Sequence, residues 1–326
     1  MSRTMHIGIP SGILAEFCPS GVHEIQQLEG GQVNTTYRVI DALGDISVMQ
    51  QMAPSSLPKA TEDFAIASDH LRAKGWEIAE PVRGISNSLT PVDVFGKPWR
   101  SYRYIESDQA QPPHSQAGFR QFAGLLGKLH TDLAELDYEP KATIPHFHDF
   151  SHHQAQLTRR LLLLDNKDQD MAEMILDEMQ RLPDIPGAPQ LIHGDPKLTN
   201  GLYRNGEVFT FIDWDTLMRG SPMLDVADML RSMTGILRDT NPAMNKDALL
   251  PIVLGYYAQA RPDVDVDTYF DQAVQATRLM ALGLAARYLT DIVDGSYFQW
   301  DPDRFPDNAS HNRYRAERQV ANFAAL

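Results

Sequence analysis

The sequence predicts an α+β protein with two parts: a small antiparallel sheet near the amino terminus and a larger, mostly helical part after it. Two observations carry this prediction. Roughly the first hundred residues contain short segments that alternate polar and apolar residues or are rich in β-branched residues, separated by glycine turns. Beyond residue 115, apolar residues recur at helical spacing. A chain of 326 residues can hold two domains that each bury a core.

The amino-terminal part is predicted to begin with three strands, at residues 22–28, 33–40 and 46–52. A Gly30-Gly31 turn joins the first two strands, and a turn at 41–44 joins the next two. Such a glycine turn can bring backbone amides close to nucleotide phosphates, although it also fits an ordinary hairpin. A helix at 60–74 and a strand at 99–106 are expected to follow.

A polar, proline-containing stretch at 107–115 marks the boundary between two predicted domains, 1–106 and 107–326. In the second domain, Phe119, Phe122 and Leu126 have helical spacing, so a helix at 116–136 is expected to be a central strut. Further helices are predicted at 152–164, 168–181, 223–237, 246–258, 266–288 and 311–323.

The strongest functional signal is the segment His-Gly-Asp-Pro-Lys-Leu-Thr-Asn at 193–200, followed thirteen residues later by Asp213. Transfer of a phosphoryl group to a hydroxyl needs a base and hard oxygen ligands for a metal. We expect Asp195 to act as the base and Asn200 and Asp213 to bind Mg²⁺. Lys197 is placed to stabilise charge on the transferring phosphate.

A β-hairpin is predicted between the two halves of this motif. Asn205-Gly206 separates two strand-like segments, at 201–204 and 208–212, and Asn-Gly is a strong hairpin signal. The hairpin would return Asp213 to the side of Asn200. Alone, the loop fits an ordinary turn and Asp213 an ordinary strand end, but the combined pattern favours an active site.

This pattern, His-Gly-Asp, an Asn five residues after the Asp and then Ile-Asp-x-Asp, resembles the aminoglycoside phosphotransferase and choline kinase superfamily over most of the chain. Segments 31–37, 193–200, 213–220 and 286–291 look most similar to the N-acetylhexosamine 1-kinase branch. The resemblance implies a bilobal protein-kinase-like fold, with a nucleotide-binding N-lobe at 1–106 and a catalytic and substrate-binding C-lobe at 107–326. It also implies ATP and Mg²⁺ as cofactors and a hexose or N-acetylhexosamine, phosphorylated at the anomeric hydroxyl, as acceptor.

By the same resemblance, three segments of the N-lobe contact the nucleotide: the glycine turn, the third strand and the hinge. The residues are Gly30, Gly31, Gln32, Asn34, Thr35, Gln51, Tyr104 and Ile105. Kinase-like folds usually pair a lysine on the third strand with a glutamate on the next helix. Gln51 stands where the family is commonly basic, and Glu62 is the candidate helix carboxylate, with an exposed helix position as the alternative.

The departure at Gln51 leaves three interpretations open. Gln51 contacts phosphate as a neutral donor while Lys197 and magnesium carry more of the charge, or turnover is slow, or the protein is a catalytically weak nucleotide or metabolite sensor. The presence of Asp195, Asn200 and Asp213 together argues against a non-catalytic protein.

Candidate acceptor contacts come from two segments, and they are Asp215, Arg219, Arg287 and Asp291. Asp215 and Arg219 fit a loop-bracing role equally well, whereas the resemblance to sugar 1-kinases places Arg287 and Asp291 at the pocket. Such polar groups suit a polyhydroxylated ligand, because a missing hydroxyl leaves its partners unpaired. Choline or ethanolamine, homoserine and aminoglycosides are the alternative acceptors.

Two other polar groups are interpreted as structural. A histidine-rich segment has the residue types of a transition-metal site, but its spacing matches no standard zinc pattern, which favours a loop leading into a helix. Its residues are His146, His148, Asp149, His152 and His153. A substrate-pocket role for one of its histidines is the alternative. Asp225, Asp228 and Arg231 lie three residues apart, which is typical of helix capping and an ion-paired helix face, although the resembled family also has acidic residues here that support the catalytic loop.

The composition excludes several partners. With 29 basic and 43 acidic residues the formal charge is -14, which argues against nucleic acid or an anionic membrane as partner and favours a small-molecule substrate. Cys18 is the single cysteine, so nothing requires an oxidising compartment. No segment is apolar enough for a signal peptide or a membrane span, and a cytoplasmic protein is expected.

Overall fold

The computed structural model describes residues 8–28, 34–53, 57–108, 115–241 and 246–326. The chain divides into two compact units: Met1–Ser107 with Pro140–Thr143, and Asp108–Glu139 with Ile144–Leu326. An antiparallel sheet dominates the first unit and helices dominate the second, so the predicted α+β class is confirmed.

The first unit is built on a five-stranded antiparallel sheet with the strand order β1-β2-β3-β5-β4. Its elements are α1 (Ser11–Phe17), β1 (Val22–Leu28), β2 (Thr35–Asp41), β3 (Ile46–Gln51), α2 (Pro58–Ala73), β4 (Pro81–Val82) and β5 (Trp99–Arg103). Alternate residues of the central strands bury Val39, Met49 and Trp99 completely, in one cluster with Ile13 of α1. One hydrophobic cluster of this unit therefore lies on the side of the sheet that α1 covers.

Residues 140–143 join the first unit because Asp63 of α2 holds them. The Oδ2 atom of this buried carboxylate accepts hydrogen bonds from the amides of Lys141 (3.0 Å) and Ala142 (2.9 Å). A buried carboxylate needs such donors, so the contact fixes both the helix and the segment.

The second unit contains most of the helices. Its elements are α3 (Gln116–Ala134), α4 (Phe150–Arg160), α5 (Asn166–Arg181), β6 (Gln190–Ile192), β7 (Gly201–Arg204), β8 (Glu207–Phe211), β9 (Met218–Gly220), α6 (Pro222–Thr240), α7 (Lys246–Gln259), α8 (Val266–Asp294) and α9 (Asn308–Ala324). Asp149, Asp165 and Asp265 cap α4, α5 and α8 by accepting a backbone amide of the first turn. In the described residues, no helix is long and apolar enough to cross a membrane.

Two packing contacts of α3 position the small strands that carry the motif. Gly127 lies against α7, where an added Cβ would come within 2.4 Å of the carbonyl oxygen of Tyr257. Phe122 packs edge-on against Phe211 of β8, with ring centroids 5.2 Å apart. The strands therefore rest on a rigid helix pair.

The predicted helices and strands are present, with ends that differ by a few residues. The largest difference is α8, which continues to Asp294 instead of ending at 288. The short elements α1, β4 and β9 were not predicted, because segments of two to seven residues carry too little periodicity to show a pattern.

Candidate active site

The segment 193–200 leaves β6 through a turn that only glycine permits. Gly194 has a φ of 86°, and an added Cβ would lie 2.3 Å from the carbonyl oxygen of Thr216. Thr216 also donates its hydroxyl to the carbonyl oxygen of His193 (2.9 Å). The turn is thus pressed against the segment that follows Asp213, so the two halves of the motif lie side by side.

Asp225, near the start of α6, fixes the Gly194 turn by hydrogen bonds. Its fully buried carboxylate accepts hydrogen bonds from the amides of His193 (2.9 Å) and Gly194 (2.8 Å) and from Nε2 of His130 (2.9 Å). Burial alone would raise the pKa of Asp225, but the hydrogen bonds from His130 and from the amide of Gly194 hold it below its usual value. The capping role expected for Asp225 is wrong, because Ser221 caps α6.

His193 links the motif to β8. Its Nε2 donates to the carbonyl oxygen of Ile212 (3.0 Å), and its Nδ1 accepts the amide of Asp195 (3.3 Å). Burial lowers the pKa of His193, which keeps the ring neutral with its proton on Nε2. The ring therefore fixes the backbone on both sides of the site.

Asp195, Lys197 and Asn200 converge at one carboxylate oxygen. The Oδ2 atom of Asp195 accepts hydrogen bonds from Nζ of Lys197 (2.6 Å) and from Nδ2 of Asn200 (3.1 Å). Desolvation would lower the pKa of Lys197, but the negative charges of Asp195 and Asp213 outweigh it and raise this pKa. A charged lysine thus lies beside Asp195 and within electrostatic reach of Asp213.

The predicted hairpin is confirmed, with β7 and β8 paired antiparallel around Asn205-Gly206. Beyond β8, the amide of Ile212 donates to the carbonyl oxygen of Asn200 (2.8 Å). Asp213 then takes the left-handed conformation, with a φ of 68°, and its side chain is exposed. The hairpin therefore returns Asp213 to the backbone of Asn200, as the spacing predicted.

Asp228 and Arg231 form the ion pair that their spacing predicted, with Nη2 of Arg231 2.7 Å from Oδ1 of Asp228. Burial raises the pKa of Asp228, and the negative charge of Asp195 adds to this effect. The second oxygen, Oδ2, is buried without a hydrogen-bond partner among the described residues. A further acidic group therefore lies near Asp195 that the sequence motif did not include.

The first unit holds the residues predicted to contact a nucleotide, and Gly30, Gly31 and Gln32 lie outside the described residues. Thr35 begins β2, and Oδ1 of Asn34 accepts the amide of Ala53 (2.9 Å). Tyr104 donates its amide to Ile46 as β5 ends. The amide of Ile105 has no backbone partner among the described residues, and a nucleotide contact by Ile105 stays a prediction.

The register of the sheet separates Gln51 from α2. Tyr102 of β5 contacts Phe64 of α2, with ring centroids 6.1 Å apart, and it pairs with Val48 across the sheet. Strand alternation then places Gln50, not Gln51, on the α2 face. Oε1 of Gln50 accepts a hydrogen bond from Nε of the buried Arg100 (2.8 Å). A nucleotide contact by Gln51 stays a prediction.

The four residues predicted to contact the acceptor lie in different environments. Arg219 lies near the carboxylates of Asp137 (4.0 Å) and Glu139 (3.5 Å), which favours the bracing role. Asp291 is buried, and its carboxylate accepts the amides of residues 296, 297 and 298. Asp215 lies in the short 3-10 turn after Asp213. Arg287 lines a cavity and is treated below.

The histidine-rich segment leads into α4, as expected. Ligand atoms of His146, Asp149 and His152 lie within 4.8 Å of one another, and the rings of His146 and His152 stack at 3.8 Å. His148 has a role that spacing did not reveal, since its Nε2 donates to the carbonyl oxygen of Gly194 (2.7 Å). This loop therefore contacts the Asp195 turn directly.

The sequence profile of the phosphotransferase enzyme family (APH) matches residues 24–262, more than half of the chain. The chain belongs to the phosphotransferase enzyme family. The homoserine kinase of Neisseria meningitidis serogroup B (strain ATCC BAA-335 / MC58) is 26% identical over 260 residues, covering 77% of this chain and 79% of that protein.

Solved structures of small-molecule kinases share the fold of this family member. Amicoumacin kinase hAmiN, in complex with AMP-PNP, Ca²⁺ and Ami, superposes with a TM-score of 0.63 at 13% identity, covering 95% of this chain and 92% of that chain. Choline kinase LicA from Streptococcus pneumoniae gives 0.61 at 14% identity, covering 97% of both chains. The protein-kinase-like α+β class and the resemblance to the superfamily are confirmed, and this phosphotransferase is a small-molecule kinase.

Proposed function

We propose that this phosphotransferase transfers the γ-phosphate of ATP to a hydroxyl of a small molecule, with Asp195 as the base. One observation carries the proposal: Lys197 and Asn200 both donate to Oδ2 of Asp195, and the charge of Asp213 acts on the same lysine. A carboxylate held by two donors, on a turn that is itself held by Asp225, has a defined orientation. Positioning of this kind is the main requirement of phosphoryl transfer.

In the proposed reaction, Asp195 orients the acceptor hydroxyl and takes up its proton as the oxygen attacks the γ-phosphorus. The new bond is between the acceptor oxygen and phosphorus, and the bond between that phosphorus and the β,γ-bridging oxygen breaks. ADP leaves with the electron pair of this bond. The ammonium of Lys197 lies beside Asp195 and can stabilise the phosphoryl oxygens as charge develops.

Asn200 and Asp213 are proposed to hold Mg²⁺, and their chemistry fits that ion. The amide nitrogen of Asn200 is used by Asp195, while its Oδ1 accepts no hydrogen bond among the described residues. Asp213 presents an exposed carboxylate at the end of the hairpin. Amide and carboxylate oxygens are the hard ligands that magnesium prefers, and the ion would neutralise phosphate charge when bound.

ATP is proposed as the donor because amicoumacin kinase hAmiN was solved with AMP-PNP and Ca²⁺, and because the sequence pattern at 30–35 fits phosphate binding. The amide of Ile105, which has no backbone partner in the described part of the chain, suits a hydrogen bond to the adenine base. We place the reaction in the cytoplasm, where ATP is abundant.

For the acceptor, the motif resemblance supports a hexose or N-acetylhexosamine phosphorylated at its anomeric hydroxyl. A second candidate is homoserine, which is favoured by the 26% identity to a homoserine kinase over most of both chains. Each candidate presents a hydroxyl to the same base.

The test is magnesium-dependent ADP release with ATP and a panel of sugars, amino sugars, homoserine, choline and aminoglycosides, run beside Asp195→Asn. Turnover with a reducing sugar that the variant loses would support the first candidate, and turnover with homoserine the second. Bound ATP without turnover across the panel would contradict the proposal and favour a nucleotide sensor. Asp239→Asn, which removes a carboxylate from the exposed end of α6, serves as the matched control.

A further inference from the structure

A cavity of about 270 Å³ lies in the second unit, between the loop before α4 and the end of α8. Arg287 forms part of its wall. The guanidinium of Arg287 lies over three aromatic rings, at 5.4 Å from the centroid of Phe147, 5.0 Å from Tyr297 and 5.5 Å from Phe298. Three rings around one cation restrict its movement, so the guanidinium is held in place at the cavity.

The N–H groups of this guanidinium have no acceptor in the part of the chain that the structure describes. Among the described residues, none accepts a hydrogen bond from the side chain of Arg287, and no carboxylate lies within ion-pair distance of it. The guanidinium is half-buried and lines the cavity, so its N–H groups can reach a ligand there.

The acidic residues of the cavity wall already have partners. Asp291, one helical turn beyond Arg287, gives its carboxylate to the amides of residues 296–298 and to Asn312 (2.9 Å). Asp294 is paired with Arg160, at 2.8 Å from Nη2. Neither carboxylate of the cavity wall therefore contacts the charge of Arg287 directly.

The other titratable and polar groups near Arg287 do not neutralise its positive charge. Desolvation lowers the pKa of His153 to about 4, so its ring is neutral at neutral pH, and its Nε2 donates to the carbonyl oxygen of Phe147 (3.1 Å). The hydroxyl of Thr290, also in the wall, has no hydrogen-bond partner among the described residues. The cavity thus offers a fixed cation at its wall.

The loop that lines the cavity also contacts the turn of the proposed base. Phe147 lines it, and the adjacent His148 donates from Nε2 to the carbonyl oxygen of Gly194, the residue before Asp195. The positive charge of Arg287 also contributes to the lowered pKa of His148, which places the two side chains close together. One loop therefore connects the guanidinium to the turn that carries Asp195.

We propose that Arg287 binds a carboxylate of the acceptor, so that the substrate of this kinase is a hydroxy acid. Guanidinium and carboxylate match in a planar, two-point hydrogen bond. The inference rests on the proposed function and narrows its acceptor: a hexuronic acid in place of a neutral hexose, or a hydroxy amino acid such as homoserine in place of choline. The aromatic frame around Arg287 supplies apolar contact for the rest of the ligand.

The test is direct binding, measured by isothermal titration calorimetry without nucleotide, with pairs of compounds that differ only in the carboxylate. The pairs are galacturonic acid with galactose, glucuronic acid with glucose, and homoserine with its alcohol 2-amino-1,4-butanediol. We expect at least one acid to bind about ten- to one-hundred-fold more tightly than its neutral partner, the range of a charge-assisted bidentate contact. The pair that shows the difference separates a sugar acid from an amino acid.

Two variants test the role of Arg287. In Arg287→Met the preference for the acid is expected to disappear while the neutral compound binds as before, and Arg287→Lys is expected to restore part of it. Arg278→Met is the matched control. Arg278 is on α8, as Arg287 is, but its guanidinium lies over Phe323 of α9 and outside the cavity wall. Circular dichroism of each variant establishes that it is folded.

Two results would overturn the inference: no acid in the panel binds better than its neutral partner, or Arg287→Met weakens both members of a pair equally. Neither result touches the proposed function, which stands if Asp195→Asn abolishes phosphate transfer to a neutral sugar. Conversely, carboxylate-selective binding without phosphate transfer to the bound acid would support the role of Arg287 and contradict the kinase proposal.

Discussion

Replacing Asp225 by asparagine removes one charge from the interior of the second unit without changing the size of the side chain. Asp225 is fully buried and accepts three hydrogen bonds, two at Oδ2 and one at Oδ1. If the side-chain oxygen of the asparagine takes the place of Oδ2, it keeps the hydrogen bonds from His193 and His130. Its amide group then faces the amide of Gly194, so two buried donors oppose each other.

The loss in the free energy of unfolding can be estimated from these contacts. A hydrogen bond to a charged group contributes about 1.5–3 kcal/mol, and a buried donor left without a partner costs about 1–3 kcal/mol. Asp225→Asn is therefore expected to lower the free energy of unfolding by about 3–5 kcal/mol, in the range found when a buried ion pair loses one partner. The turnover rate should also fall, because the amides of His193 and Gly194 orient Asp195.

Urea unfolding followed by circular dichroism measures this change, with Asp239→Asn as control. Asp239 is exposed at the end of the same helix, where it pairs with Arg318, and its loss is expected to change stability by about 1 kcal/mol or less. The pKa of Asp225 is depressed in the folded state, so its contribution is present above about pH 4 and is lost as the pH falls through the folded value. A loss below about 1 kcal/mol in Asp225→Asn would refute this reasoning.

Three further predictions follow from the same contacts. Gly194→Ala places a Cβ 2.3 Å from a carbonyl oxygen, so we expect it to lose about 2 kcal/mol more stability in urea than Gly206→Ala, which has a similar positive φ and open space; equal losses would show that the clash is relieved. His148→Phe removes the donor to Gly194, and because the lowered pKa of His148 makes wild-type stability fall as the pH drops below about 6.5, the variant should show a shallower fall between pH 7 and 5. Asp213→Asn should raise the Mg²⁺ concentration for half-maximal turnover by about tenfold or more, and an unchanged requirement would remove Asp213 from the proposed metal site.

Much of the candidate site could be predicted because its residues are close in sequence. Asp195, Lys197 and Asn200 lie within six residues, and the Asn-Gly turn that returns Asp213 has a known backbone geometry. Local chemistry therefore determined most of this part. The helices of the second unit were also predictable, because long amphipathic segments repeat their pattern several times.

Contacts between distant segments could not be predicted in this way. Asp225 is 30 residues from Asp195 in sequence, and its spacing from Asp228 suggested an ordinary helix face. His148 carried no signal that it would donate to Gly194. Each depends on tertiary packing, which one sequence does not report.

The register of the first sheet also could not be predicted from the sequence. A shift of one residue moves a side chain to the opposite face, so identifying Gln51 or Gln50 as the residue facing α2 requires the pairing with β5. Likewise, whether Arg219 contacts an acceptor or braces a loop depends on Asp137 and Glu139, which lie in the segment that follows α3.

The central claim is that Asp195 serves as the base of a phosphoryl transfer from ATP. The most direct measurement is the rate of product formation, followed by ³¹P NMR with the acceptor found in the panel, for wild type and Asp195→Asn, together with the Kd of each for AMP-PNP and Mg²⁺. We predict a rate at least about a hundredfold lower in the variant, with nucleotide affinity unchanged within a few-fold. A variant that forms the same product at a rate within tenfold of wild type would contradict the assignment.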